Sequence, residues 1–109
     1  MKNDLIVHSE IFDFAAKADY SAGGIVSKQV MQKPAGNVTL FAFDAGQSLS
    51  EHSAPFDALV QVIEGEGEIS IGGRPFLLKA GHSIIMPAGA PHAVKAPMRF
   101  KMLLTMIKE

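Results

Sequence analysis

Cysteine is missing from all 109 residues, which removes disulfides, thiolate nucleophiles and sulfur-ligated metals and suits a reducing compartment. Clustered cations are missing too: no two lysines or arginines are adjacent, and the formal net charge is −1. A nucleic-acid surface needs grouped cationic side chains to displace counterions, so no nucleic-acid partner is expected. Apolar runs such as MLLTMI at 102–107 stop far short of the ~20 residues of a membrane-spanning helix. The opening stretch, MKNDLIVHSEIF, has no apolar core of the kind a secretory signal carries. Together these absences lead to the expectation of a cytoplasmic protein with no membrane partner.

What is present points to one folded domain. Hydrophobic residues make up 48% and charged residues 19%, outside the regime of disordered chains, and 109 residues divided in two would leave neither half a core. Residues 1–24 form an irregular segment, in which the stretch 11–18 (IFDFAAKA) has the makings of one or two helical turns ended by Gly23 and Gly24. From 25 to 109, short apolar runs are interrupted by glycine or proline every 8 to 12 residues, the punctuation of an all-β sandwich or barrel. Strands are predicted over 25–32, 37–44, 49–53, 58–64, 68–71, 74–79, 82–86, 92–95 and 99–108. The run Glu64-Gly65-Glu66-Gly67-Glu68 reads as a solvated hairpin turn between two of them. Residues 58–63 and 102–107 are apolar on both faces, so both faces need cover, and a second copy of the chain is the simplest outer layer. A homodimer is therefore expected.

Two stretches carry a family pattern. From Gly46 the chain reads G-x5-H-x-A-x3-A-x6-G, through His52, Ala54 and Ala58 to Gly65; from Gly81 it reads G-x5-P-x-G-x2-H-x3-A, through Pro87, Gly89 and His92 to Ala96. These resemble the two motifs of the cupin superfamily, and the resemblance covers roughly residues 40 to 107. It implies a cupin-type double-stranded β-helix, or jelly-roll, barrel behind a short irregular or helical N-terminal segment. In that family the first motif supplies two histidines and a glutamate, and the second a third histidine, for one divalent metal. Here His52 and His92 match ligand positions, while Ala54 stands for a histidine and Ala58 for the glutamate.

Half of that donor set is thus gone, and no other residue supplies it on strand geometry alone. Glu51 alternates to the face opposite His52, and Asp57 to the face opposite Ala58, unless a bulge near Pro55 turns it inward. His82 and His8 read as surface histidines. The replacements leave an apolar pocket with two polar groups, walled by Ala54, Ala58, Val60, Val62, Met102 and Leu104, with some of Phe41, Phe43, Met86 and Met106 nearby. The leading expectation is a binding module for a small, largely apolar molecule, with no efficient metal catalysis. The alternative is a metal-dependent enzyme (a quercetinase-like dioxygenase, an isomerase or a decarboxylase) in which His52 and His92 hold iron, manganese, nickel or zinc at partial occupancy. A DNA-binding sensor is disfavoured, because the chain carries no helix-turn-helix segment.

Overall fold

The computed structural model describes residues 6–108, so the first five residues of the expected 1–24 segment and the last residue of the 25–109 barrel lie outside it. Eight strands follow a single 3-10 turn at Phe14–Ala16: β1 Ile25–Lys33, β2 Gly36–Phe43, β3 Ser48–His52, β4 Asp57–Ile71, β5 Arg74–Lys79, β6 Ser83–Met86, β7 His92–Lys95 and β8 Phe100–Ile107. All pairings are antiparallel. One sheet runs β1-β2-β8-β4, with β6 on the lower half of β4; the other is built on the upper half of β4, where β7 and then β3 add on one side and β5 on the other. The architecture is all-β, as the strand punctuation predicts, and is the jelly roll that the motif resemblance implies.

The expected hairpin at Glu64–Glu68 is a correction. β4 runs unbroken through these residues for 15 positions and passes from one sheet to the other there. A register shift against β8 between Val62 and Glu64, with Gly65 at φ +75°, bends the strand without ending it. Glycine is required on packing grounds too. A methyl group at Gly65 would run into the Arg99 carbonyl, and one at Gly67 into the Phe100 ring. The two glycines read as turn residues in the sequence because the need for close approach by a distant strand is invisible locally.

The interior is close-packed. Phe43, Val60, Val62, Ile69, Phe100 and Met102 are fully buried, and Phe43 stacks on Phe100 with centroids 4.7 Å apart. Each such side chain contributes about 1.5–3 kcal/mol on leaving water. A second cluster lies outside the barrel wall, where Leu40, Ala42 and Leu103 of β2 and β8 pack against Ala18, with Phe14 and Tyr20 beside them. The N-terminal segment is therefore a strap that covers part of the sheet's outer face, a task the sequence reading assigned to a partner chain. Polar contacts pin it: the Lys101 ammonium, on a residue only 6% exposed, donates to the Ala15 carbonyl at 2.5 Å and lies 4.8 Å over the Tyr20 ring. Tyr20 donates to Glu64 at 2.5 Å, and burial followed by that bond raises its pKa above the usual phenol range. At the strap's end Asp44 accepts from Gly23 N–H and from Arg99, and the Arg99 bond foremost holds its carboxyl down at about 2. The helical turns expected over 11–18 shrink to the 3-10 turn, capped by the Asp13 carboxylate on Ala15 N–H.

Candidate functional site

His52 ends β3 and His92 begins β7, and the two are direct cross-strand partners. Their facing depends on an irregularity. Leu49 pairs with Val94, so three residues on β3 span the same length as two on β7, and one residue between Leu49 and His52 is extra. Leu49 packs against the core, and strict alternation from it would turn His52 to the opposite face. The bulge restores His52 to the side on which buried Val94 and His92 lie, as bulges next to sites commonly re-aim side chains.

The result is an edge-on imidazole pair with ring centroids 4.3 Å apart and Nε2 to Nε2 at 3.1 Å. The other nitrogens are tied to backbone carbonyls: Nδ1 of His52 lies 2.9 Å from Ser50 O, and Nδ1 of His92 lies 3.2 Å from Ala90 O. A carbonyl only accepts, so each Nδ1 carries a proton, and the two Nε2 atoms are left to face each other. Two acceptors at 3.1 Å repel unless a positive centre sits between them, either a proton shared by the rings or a metal ion. Only one proton fits. His92 is 8% exposed, and burial first, then the neighbouring charge of His52, lower its pKa, against an opposing pull from the Ala90 carbonyl. His52 sits at the exposed rim of the site.

As a metal centre the set falls short. Carbonyl-anchored Nδ1 with a directed Nε2 is how metal-bound histidines are held, but a catalytic site takes about three protein ligands. Among the described residues no three His, Asp, Glu or Cys side chains gather. Glu51 is exposed, and Asp57 is exposed on the outer face, where its Oδ1 accepts from Ala88 N–H at 2.8 Å. The inward-turning bulge near Pro55 is therefore absent, since the bulge of this region lies on β3 instead. His82 is at the surface as expected, and its Nδ1 accepts from Lys79 N–H at 3.0 Å, which closes the turn before β6. His8 is also exposed. Of the expected pocket wall, Ala58, Val60, Val62 and Met102 belong to the buried core, Leu104 packs against it, and Ala54 accepts through its carbonyl from Gly89 N–H. The Ser50 and Ala90 carbonyls, which set both tautomers, carried no sequence signal.

An antiparallel double-stranded β-helix with histidines from its two motif strands facing each other defines a cupin-type barrel. Residues 39–107 match the family model described as the cupin domain, and the chain belongs to that family. It is 34% identical to a conserved protein of unknown function from Streptococcus pyogenes, with a TM-score of 0.91 over 95% of this chain and 91% of that one. It is 45% identical to a cupin 2 conserved barrel domain protein from Leptotrichia buccalis, with a TM-score of 0.87; that match covers 89% of this chain and 47% of the other, so this chain spans about half its length. A cupin superfamily protein from Desulfitobacterium hafniense, 24% identical over 98% of this chain and 97% of that one, shares the fold with a TM-score of 0.89. No curated protein matches the chain.

Proposed function

We propose that this cupin domain protein binds a small molecule at the barrel mouth beside His52 and His92, without efficient metal catalysis, and acts as a cytoplasmic homodimer. The observation that carries the reading is the pair itself: two tautomer-fixed imidazoles whose Nε2 atoms converge at 3.1 Å with no third metal-ligating side chain beside them among the described residues. Such a pair recognises a ligand by a few directed polar contacts at the exposed rim, where His52 is open to solvent, while Ala58, Val60, Val62 and Met102 are buried behind it and back the pair rather than touch the ligand. A second reading, a metal-dependent enzyme, draws on the same directed lone pairs and needs its remaining ligands from outside the described side chains. Elemental analysis of the untagged protein, beside a His52→Ala/His92→Ala variant, separates the two. Metal-free protein that small phenols or carboxylic acids stabilise in a thermal-shift screen, with the stabilisation lost in the variant, supports binding. Stoichiometric iron, manganese, nickel or zinc that vanishes in the variant replaces this reading with the second.

A further inference from the structure

The N-terminal strap encloses a cavity of about 390 Å³ against the outer face of the sheet, and neither histidine of the pair borders it. Strap residues between Ile6 and Phe14 supply one wall, and β1, β2, β4 and β8 the other. Its size falls within the roughly 300–1,000 Å³ of small-molecule sites. Two local irregularities build it. On β1, Val26 and Val30 both pack in the strap cluster, so plain alternation would turn Met31 to the barrel interior. Between the pairs Gln29–Thr39 and Met31–Val38, however, β1 has one residue more than β2, and this bulge brings Met31 to the outer face beside Val30. On the strap, Ser9 is the one non-glycine residue with left-handed backbone among those described, at φ +65°. Residues with side chains take that conformation at a cost, and they gather at ligand-binding segments. Here the turn lets residues on both sides of Ser9, Val7 and Phe12 among them, reach one cavity.

The lining is chemically selective. Phe12 and Phe14 lie edge to face, with centroids 4.8 Å apart at 89°, and Met31 borders the same space. Such a wall takes an aromatic ring through edge, face and thioether contacts. The otherwise apolar runs 58–63 and 102–107 are each broken by one polar residue, Gln61 and Thr105, and both border this cavity. They are diagonal neighbours, since Gln61 pairs with Leu103 and Leu59 with Thr105. Among the described residues neither side chain has a hydrogen-bond partner, and Glu10, on the strap side of the cavity, has no ion pair. An amide carbonyl, a hydroxyl and a carboxylate all accept, and no lysine or arginine lines the cavity. The polar part of the site therefore suits a cationic donor and repels an anion.

We propose that the cavity between strap and sheet is a second ligand site, which takes a primary arylalkylamine. The ring lies against Phe12, Phe14 and Met31, and the ammonium donates to acceptors among Gln61, Thr105 and Glu10. An ammonium over a phenylalanine face is attracted to the ring as well. Val7 and Met31, which are 50% and 54% exposed, leave the cavity open to solvent for entry. The site uses neither His52 nor His92, so it stands or falls apart from the function proposed above.

The probe is 2-phenylethylamine, with 3-phenylpropionate as a control that has the same ring and the opposite charge. Both are titrated by calorimetry into the wild-type chain and into the His52→Ala/His92→Ala variant, in which the histidine pair contributes nothing. At about pH 8 imidazoles of ordinary pKa are uncharged and the amine stays protonated. One amine per chain is expected in both proteins, with a dissociation constant of about 1 mM or tighter, and no binding of the control to the variant. In the variant background Gln61→Leu weakens the amine about tenfold, because an ammonium loses an acceptor. Glu10→Gln weakens it about two- to fivefold. Glu10 is exposed, so Glu10→Gln keeps the circular dichroism spectrum and carries the test if Gln61→Leu does not fold. The proposal is overturned if the amine fails to bind, if the control binds the variant equally well, or if neither substitution lowers the affinity. It is also overturned if binding disappears in the His52→Ala/His92→Ala variant, which would put the amine at the histidine pair instead.

Discussion

The two histidines differ in burial, and that difference sets an experiment on both stability and protonation. Replacing His92 by alanine removes a ring that is 8% exposed and unmakes its bond to the Ala90 carbonyl. The lost packing and the unsatisfied acceptor together cost about 2 kcal/mol. For a domain of this size that lowers the melting temperature by about 10 °C. His52→Ala removes an exposed ring and costs no more than about 0.5 kcal/mol. The pH dependence follows from the direction of the His92 shift. Burial keeps the folded chain's His92 neutral at pH values where the unfolded chain already protonates it. The unfolded state therefore binds more protons on acidification, and stability is full above the ordinary imidazole range and falls as pH drops through it. His92→Gln, which retains a donor toward Ala90 but takes up no proton, flattens that fall. Urea unfolding at pH 7.5 and 5.5, at one fixed chain concentration because dimer dissociation adds to apparent stability, measures all three variants. Equal losses for His52→Ala and His92→Ala, or an unchanged acid slope in His92→Gln, would refute the reasoning.

Three further outcomes are expected. Leu40→Ala, in the cluster between the sheet and the strap, costs about 2–5 kcal/mol in urea unfolding; a loss under about 1 kcal/mol means the strap does not pack there. Gly67→Ala drives a methyl group into the Phe100 ring and costs about 1–3 kcal/mol, and Phe100→Leu in the same chain relieves part of the loss, so the double variant is less destabilised than the sum of the singles. Ala54→His/Ala58→Glu completes the donor set that the family motif describes. Without metal its melting temperature falls, because Ala58 is buried and a lone carboxylate there is unpaired; added manganese or zinc restores it, and calorimetry shows one ion per chain.

Much of the barrel was legible in the chain. Glycine and proline at short intervals delimit strands, and runs such as 58–63 and 102–107 need cover on both faces whatever the topology. The spacings from Gly46 to His52 and from Gly81 to His92 carry the family resemblance, and it is that resemblance which implies that Ala54 and Ala58 stand where two metal ligands would be. These are local properties: backbone freedom, burial preference and residue chemistry are written residue by residue.

Tertiary structure decided what depends on distant partners. Gly65 and Gly67 are strand residues, because a second segment 35 and 33 positions away, at Phe100, passes too close for a side chain. The N-terminal segment became a strap because Lys101 and Tyr20 meet on the sheet's outer face. His52 faces His92 only because β3 is one residue longer than β7 between their pairings, a mismatch that exists in neither strand alone. Strand registry is a property of two segments at once, and side-chain direction inverts with each single-residue slip. The chain by itself therefore determined which groups are available for chemistry, and only the folded sheet decided that two of them would share one small space.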